Sequence, residues 1–330
     1  APRGDTNGTP RLSEDRQARY GAVFAENVFR LGPFHVVPSL RWEHEELRID
    51  EGVKPANLSR PLIHADYRKD VPLAGIGIGN DFGPGNETYV NVSQGYRPLR
   101  YLDVAGPFAN FAAGNNPDPP RSVSYEAGVH GWPARGFYYD VGLFEVDFRH
   151  RIETQAVNAT DVVNVNTGDT RHRGIEAEAH YDVAPWLHRP ASEHLEIFGN
   201  ASLLEARFTA SAIAGQVGRV PAYAPRYLLR AGVLWRDAAD SRAGLSVTSV
   251  GSQFWQDSNA DFGSGAAFVP ARIPAFTVVD LSGQWAATPR VRLIAALSNA
   301  LDSRYYARVF QNAIEPANRR AWRAGATIDF

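Results

Sequence analysis

The residues with the clearest binding chemistry are arginines beside long connections between predicted strands. Arg97 ends one predicted strand and Arg100 follows it, while Arg219 and Arg226 flank the connection before a later strand. A guanidinium group is planar and always charged, and it holds a carboxylate through two parallel hydrogen bonds. Four such groups around one opening would suit an anionic ligand, although arginines that only form surface salt bridges are common.

Residue combinations typical of enzymes are missing from the sequence. It contains no cysteine and no Gly-x-Ser-x-Gly segment, so a thiol nucleophile is excluded and a serine hydrolase of that type has no support. Gly75–Asn80 begins like a dinucleotide-binding fingerprint but lacks its last glycine. Glu176 and Glu178 are two residues apart, which on a strand places both on one polar face. We therefore predict that the chain is not an enzyme and has neither a cofactor nor a bound metal. The histidines of this region are too scattered for a zinc motif: His172, His180, His188 and His194.

Composition excludes several classes of protein. Of 330 residues, 44% are hydrophobic and 21% are charged, which is enough apolar surface for a folded chain rather than a disordered one. No apolar run approaches the ~18 residues of a membrane helix. The formal net charge of −2 argues against a nucleic-acid partner.

Apolar and polar residues alternate with a period of two along most of the chain, which is typical of strands. The segment from Trp322 to Phe330 is the clearest example. A strand with two such faces separates an apolar medium from a polar one. We expect these apolar side chains to face lipid: Leu40, Trp42, Phe144, Val146, Trp322 and Ile328. We expect these polar side chains to face inward: Arg41, Glu176, Glu178 and Asp280.

The alternation predicts thirteen strands, many of them longer than the strands of ordinary sandwiches. Short turns alternate with long connections rich in Gly, Pro, Asn and Asp. Long strands with short turns on one side and long loops on the other predict an all-β, antiparallel transmembrane β-barrel. The predicted strands are 17–30, 35–50, 72–80, 87–97, 121–131, 136–149, 170–182, 193–208, 224–236, 242–257, 273–286, 290–301 and 318–330. The predicted long connections are 51–71, 98–120, 150–169, 209–223, 258–272 and 302–317.

Five features resemble motifs of the TonB-dependent outer-membrane receptors, in the family's order. Leu297–Tyr306 is similar to the family's N-L-F-D-x-x-Y element, with Ala300 and Leu301 in place of the usual Leu and Phe. The chain closes on Phe330, similar to the C-terminal aromatic residue of outer-membrane barrels. The other segments are Tyr20–Asn27 (like Y-A-x-F-x-E-N), Glu87–Pro98 (like Y-x-x-x-S-x-G-Y-R-P) and Thr170–Glu176 (like R-x-x-G-x-E).

The resemblance implies that residues 1–330 are the C-terminal portion of a plugged transporter barrel. Such barrels have 22 strands, and the alternation predicts about thirteen of them here. If Phe330 ends at the periplasmic side, residues 1–16 form an extracellular loop. On this interpretation the signal peptide, the TonB box, the plug domain and the remaining strands lie outside this sequence. The expected location is the outer membrane of a Gram-negative bacterium.

The resemblance also implies TonB-dependent active transport of a ferric siderophore or a similar iron chelate. The expected partners are the ferric chelate, the TonB complex reached through the plug, and outer-membrane lipid. The candidates for binding the chelate are Arg97, Arg100, Arg226 and Arg219, with Arg97 first because the alternation turns it inward. Two alternatives stay open: uptake of vitamin B12 or another scarce nutrient, and a secreted all-β carbohydrate-binding module or glycoside hydrolase.

Overall fold

Thirteen long strands form one sheet in which each strand pairs antiparallel with the next strand along the chain. The computed structural model describes residues 10–106, 109–112, 115–310 and 313–330. The predicted all-β antiparallel fold and the predicted number of long strands are confirmed. The strands are β1 (Ser13–Glu26), β2 (Phe34–Val53), β3 (His64–Asp81), β4 (Asn86–Tyr96), β5 (Arg121–Ala134), β6 (Phe137–Ala156), β7 (Asp161–Asp182), β8 (His194–Ala210), β9 (Tyr227–Arg236), β10 (Arg242–Val250), β11 (Phe276–Thr288), β12 (Val291–Ser298) and β13 (Ala321–Ile328).

Shorter elements lie in the connections. Phe29–Leu31 pairs with β2, and Asn110–Phe111 runs parallel to β7, which brings the main sheet to fifteen strands. Within the described ranges β1 and β13 do not pair with each other, so the sheet is open. No helix in these ranges is long and apolar enough to span a membrane. The remaining elements are α1 (Tyr101–Ala105), a 3₁₀ turn (Gly265–Ala267), and two hairpins, Gln253–Phe254 with Arg272–Ile273 and Tyr306–Phe310 with Ala313–Pro316.

Because consecutive strands are antiparallel, their connections alternate between the two ends of the sheet. The connections at one end are mostly long and those at the other mostly short; the exceptions are the four-residue turn 157–160 and the eleven-residue connection 183–193. At the loop end, the backbone N–H of Ser59 donates to Oδ1 of Asn110 at 3.0 Å, so two long connections touch. At the turn end, the backbone N–H of Trp132 donates to the carbonyl of Gly85 at 3.2 Å. The predicted division into a loop end and a turn end is confirmed. The longest connection at the turn end is 183–193.

The segment 150–169, predicted to be a long loop, is almost entirely strand, so that prediction is wrong. β6 and β7 extend through it, and residues 157–160 alone form the turn. Asn158 closes the turn, because its Oδ1 accepts the backbone N–H groups of Thr160 and Asp161, both at 2.9 Å. Beyond the membrane both faces of a strand can carry polar residues, which hides the alternation that reveals a strand.

The sheet has one apolar face and one polar face. On β2 the outward side chains are apolar from Phe34 to Trp42 and charged from His44 to Asp50. The apolar stretch is nine residues long, within the roughly 9–11 residues that a tilted strand needs to cross the hydrocarbon core. The inner face is the one on which the connection 97–120 folds. Residues that pair across neighbouring strands lie on the same face of the sheet. The register therefore confirms the predicted faces of eight residues. Outward are Leu40, Trp42, Trp322 and Ile328, and inward are Arg41, Glu176, Glu178 and Asp280.

Phe144 and Val146, predicted to face lipid, point inward, so this prediction is wrong. Phe144 pairs with Gly174 and fills the space beside it, since a Cβ on that glycine would lie 2.9 Å from the Phe144 ring. The outward residues here are Glu145 and Asp147, which bond to an arginine of β7 at 3.2 and 2.8 Å. The alternation of apolar and acidic residues on this part of β6 is compatible with either set of side chains pointing outward. Here the strand has already left the lipid band, and its charged face is turned outward to water.

The two faces of β13 should respond differently to a buried charge. Ala326 faces outward beside Leu293, and Gly325 faces inward into open space. Replacing Ala326 by Arg should lower the free energy of unfolding by roughly 2–4 kcal/mol, because the guanidinium would enter the lipid band. Gly325→Arg is the matched control and should cost much less. Equilibrium unfolding of the protein in lipid measures both changes, and equal costs would contradict the assignment of the faces.

Candidate functional site

Residues 97–106, in the connection between β4 and β5, fold over the inner face of β2 at the loop end of the sheet. Leu99 and Val104 pack against Leu47 and Ile49, and all four side chains are at most 2% exposed. Burying side chains of this size contributes roughly 1.5–3 kcal/mol each. The cluster therefore holds the connection against the wall of the sheet.

Buried amides attach the same connection to β3 and β7. Asn164 donates from Nδ2 to the carbonyl of Asp103 at 2.6 Å, and its backbone N–H donates to Oδ1 of Asn115 at 2.7 Å. Asn115 donates from Nδ2 to the carbonyl of Val104 at 2.9 Å, and the Tyr67 hydroxyl donates to the carbonyl of Asn115 at 3.0 Å. Because buried polar groups need partners, these bonds select one conformation of the connection.

Arg97 and Arg100 meet at one carboxylate, that of Asp103. Nη1 of Arg97 donates to Oδ2 at 2.7 Å, and Nη2 of Arg100 donates to Oδ1 at 2.9 Å. The backbone N–H of Arg100, just before α1, also donates to Oδ2 at 2.8 Å. The Asp103 side chain is 5% exposed, whereas those of Arg97 and Arg100 are 40% and 65% exposed. The exposed guanidinium groups of Arg97 and Arg100 thus share the buried carboxylate of Asp103. We call this cluster of Arg97, Arg100 and Asp103 the inner opening.

Two acidic groups beneath the inner opening have pKa values displaced in opposite directions. Burial opposes ionisation of Asp103, but hydrogen bonds from Arg100 and Arg97 outweigh it and hold its pKa below the ordinary value. Burial raises the pKa of Glu45, which is 1% exposed. Its Oε1 accepts the backbone N–H of Leu99 at 2.7 Å, while its Oε2 has no hydrogen-bond partner in the described part of the chain.

The pH dependence follows from these directions. A depressed pKa means that the stabilisation by Asp103 is present at neutral pH and is lost as the pH falls through that lowered pKa. The raised pKa of Glu45 has the opposite effect on the free energy of unfolding. The folded state favours its protonated form, so stability is lost as the pH rises and Glu45 ionises. At neutral pH the Arg97–Asp103–Arg100 contact is therefore intact.

Arg219 lies in a second group of connections. Its Nη1 donates to the carbonyl of Ser258, which joins the connections 211–226 and 251–275. No described contact links it to the inner opening. Across the described residues, no group of three or more His, Asp or Glu side chains could hold a metal ion.

Arg226 lies just before β9. Its carbonyl accepts the backbone N–H of Leu204 at 2.9 Å, so it continues the row of Leu204, whose side chain points inward. Of the four arginines predicted from the sequence, the structure brings together Arg97 and Arg100. No described contact links Arg226 to the inner opening.

Sequence analysis missed Asp103 and Glu45. The spacing Arg100-x-x-Asp103 is that of contacts within a first helical turn, and this spacing could have pointed to Asp103. Nothing near Glu45 in the sequence shows that a connection about fifty residues later covers it. That burial is a long-range property of the sheet.

A two-faced sheet with an apolar band, long loops at one end and a loop folded over the inner face defines the wall of an outer-membrane barrel. The sequence model of the family described as "TonB dependent receptor-like, beta-barrel" matches residues 1–300, and the chain belongs to this family. Receptors of this family are transporters of the Gram-negative outer membrane and not enzymes. The alternative of a secreted carbohydrate-binding module or glycoside hydrolase is therefore removed.

Solved structures of three transport proteins share the fold. The unliganded ferric citrate transporter FecA superposes with a TM-score of 0.79 at 17% identity, covering 98% of this chain and 47% of that one. The ferric yersiniabactin uptake receptor FyuA from Yersinia pestis gives 0.74 at 19%, covering 99% and 48%. The copper transporter OprC gives 0.71 at 15%, covering 96% and 48%. The chain thus spans about half the length of these proteins.

Replacing Asp103 by Asn should loosen the connection over the inner face. Hydrogen bonds to a charged group contribute roughly 1.5–3 kcal/mol, so amide hydrogen exchange across residues 99–106 should accelerate by about tenfold or more at neutral pH. Hydrogen–deuterium exchange of the receptor in lipid nanodiscs measures this.

A matched control for that experiment lies in the same connection. The Asp118 carboxylate is 70% exposed and pairs with Lys69 at 2.8 Å. Exposed pairs contribute little, so Asp118→Asn should leave exchange of residues 99–106 nearly unchanged. Identical exchange in the Asp103 variant and the wild type would show that the two arginines do not fix the connection.

Proposed function

We propose that this chain forms part of the wall of a receptor that imports a ferric siderophore or a similar iron chelate by TonB-dependent active transport. The observation that carries the proposal is the exposed Arg97–Arg100 pair at the inner opening. It faces the lumen at the loop end, where a ligand from outside would arrive first. The names of two fold neighbours, a ferric citrate transporter and a ferric yersiniabactin receptor, support an iron chelate as cargo.

The chemistry of the pair suits an anionic chelate. Asp103 occupies Nη1 of Arg97 together with Nε and Nη2 of Arg100. Each guanidinium has five N–H donors in a fixed plane, so each keeps donors for a second acceptor. Because Asp103 is buried behind the arginines, it orients them without blocking their exposed edge. A chelate carboxylate would then bind through charge-assisted hydrogen bonds.

Arg219 has a secondary place in the proposal. It lies at the loop end, and its guanidinium already donates to Ser258. We assign it to holding the connections 211–226 and 251–275 together at the loop end. A direct bond from Arg219 to the cargo would have to replace or share that contact.

The energy source and the remaining contacts belong to parts of the receptor beyond the wall described here. Coupling to the TonB complex would run through the plug of a complete receptor, in line with the family. The cargo would contact the plug as well as the inner opening. The outer-membrane lipid would contact the apolar band.

Other cargoes form the second candidate. The copper transporter OprC has the same fold at 15% identity, so the fold itself does not select iron. Uptake of vitamin B12 or another scarce nutrient would need a different explanation for the exposed positive charge. The charge of the cargo therefore separates the two candidates.

Replacing Arg97 and Arg100 together by Ala should weaken binding of ferric citrate about ten- to a hundredfold. The reason is the loss of charge-assisted hydrogen bonds, worth roughly 1.5–3 kcal/mol. Isothermal titration of the receptor at its natural length, with ferric citrate and with vitamin B12, measures the effect. Binding of vitamin B12 in place of ferric citrate would favour the second candidate.

The control pair for this experiment is Arg48→Ala with Arg68→Ala. Both arginines lie on the outward face of β2 and β3 above the lipid band, where they pair with Asp50 at 2.8 Å and Asp66 at 3.1 Å. The control removes the same charge from the same end of the sheet and should leave ferric citrate affinity unchanged. Equal losses in both pairs, or no loss at Arg97 and Arg100, would refute the proposal.

A further inference from the structure

The carboxyl group of Glu45 is buried on the inner face of β2, beneath residues 97–106. Glu45 is 1% exposed, and its Oε1 accepts the backbone N–H of Leu99 at 2.7 Å. Leu99 and Val104, each 2% exposed, pack against the next inward residues of β2. Glu45 therefore reaches water only when residues 97–106 move away from β2.

Glu45 lacks the partners that an ionised carboxylate needs. Five carboxylates are buried in the described ranges: Glu43, Glu45, Glu51, Asp103 and Glu153. The other four accept hydrogen bonds from arginine or, at Glu153, from two hydroxyls and a backbone N–H. In these ranges Oε2 of Glu45 has no hydrogen-bond partner, and no cation lies at ion-pair distance from either oxygen. An uncompensated buried charge costs more than a neutral hydroxyl without a partner, so burial favours the protonated form.

The cations nearest to Glu45 are bound to other carboxylates. Lys69 lies opposite Glu45 in the register but pairs with Asp118 at 2.8 Å, and Arg97 pairs with Asp103 at 2.7 Å. Burial raises the pKa of Glu45 and outweighs the opposing effects of the Leu99 N–H, Arg97 and Lys69. The remaining titratable groups around it are Tyr20 of β1, Glu43 of β2, Tyr96 of β4 and Asp103.

We propose that Glu45 is a pH-sensitive latch that holds the inner opening in place while its carboxyl group carries a proton. The protonated group stays buried, so residues 97–106 remain on β2 and keep Arg97 and Arg100 at the loop end. When the O–H gives its proton to water, the carboxylate requires hydration, and residues 97–106 leave β2 to admit it. Glu45 is thus a positioning residue for the two arginines. The latch does not depend on the identity of the cargo, and only its effect on import rests on the proposed function.

The sign of the pH dependence follows from linkage. A group whose pKa is raised in the folded arrangement stabilises it at low pH, and this stability is lost as the pH rises toward the raised pKa. One linked proton changes the equilibrium by at most about tenfold per pH unit. Ionisation of Asp103 acts in the opposite direction and below the ordinary pKa of a carboxyl group. The two groups therefore act in different ranges of pH.

The test is hydrogen–deuterium exchange of residues 99–106 in the receptor at its natural length, in lipid nanodiscs without cargo, over roughly pH 5 to 8. Protection is corrected for the intrinsic pH dependence of amide exchange. In the wild type it should fall with rising pH, by at most about tenfold per pH unit. Glu45→Gln keeps an oxygen acceptor for the Leu99 N–H but cannot ionise, so it should remove the fall. Constant protection in the wild type, or the same fall in the variant, would overturn the proposal.

Glu43→Gln is the matched control for this experiment. Glu43 lies two residues away on the same face of β2 and is 8% exposed, but it pairs with Arg41. The control removes the same charge from the same strand and should keep the fall of protection with pH. Loss of the fall in both variants would assign it to the general charge of this wall and overturn the latch.

A distance measurement tests whether the inner opening moves as the latch requires. The chain has no cysteine, so spin labels can be attached to cysteines at Leu102, 58% exposed on α1, and at Ala238, exposed in the turn between β9 and β10. Double electron–electron resonance should give a narrow distribution at about pH 5 and a broader one at about pH 8 in the wild type. In Glu45→Gln the distribution should stay narrow at both. Identical distributions at both pH values in the wild type would overturn the proposal. No cargo is present in either measurement, so failure here leaves the transport proposal untouched.

Discussion

The structure depends on one constraint: in lipid, backbone N–H and C=O groups have no water to bond and must pair with each other. Antiparallel pairing satisfies this requirement for every strand between β1 and β13, while these two strands are each paired along one edge in the described ranges. The pleat of each strand then sends alternate side chains to opposite faces, one toward lipid and one toward the lumen. The apolar stretch on β2, from Phe34 to Trp42, follows from the same rule, as does the change to charged residues from His44 onward.

Arginine serves two purposes at the loop end of this chain, and the face of the sheet decides between them. Arg97 and Arg100 lie on the inner side and share the buried Asp103. Arg171 lies on the outer face, where Glu145 and Asp147 pair with it. Arg171 therefore holds neighbouring strands together, while Arg97 and Arg100 keep exposed donors.

The sequence predicted the strands and faces well because alternation is a local pattern. The prediction of the faces failed at Phe144 and Val146. An alternation of apolar and acidic residues shows that the strand has two different faces. It does not show which face points outward once the strand has left the lipid band. It failed at 150–169 for a related reason: outside the membrane neither face must be apolar. Parity also put Arg97 on the inner face, where it meets Asp103, whereas the burial of Asp103 and Glu45 comes from contacts distant in sequence.

The most direct test of the account measures which face of β7 meets lipid. This chain has no cysteine, so single cysteines at Ile175, Glu176, Ala177 and Glu178 can each carry a spin label in the receptor reconstituted in lipid. The account predicts that collisions with molecular oxygen, which concentrates in hydrocarbon, are frequent at 175 and 177 and rare at 176 and 178. Uniform collision rates, or frequent collisions at 176 and 178, would contradict it.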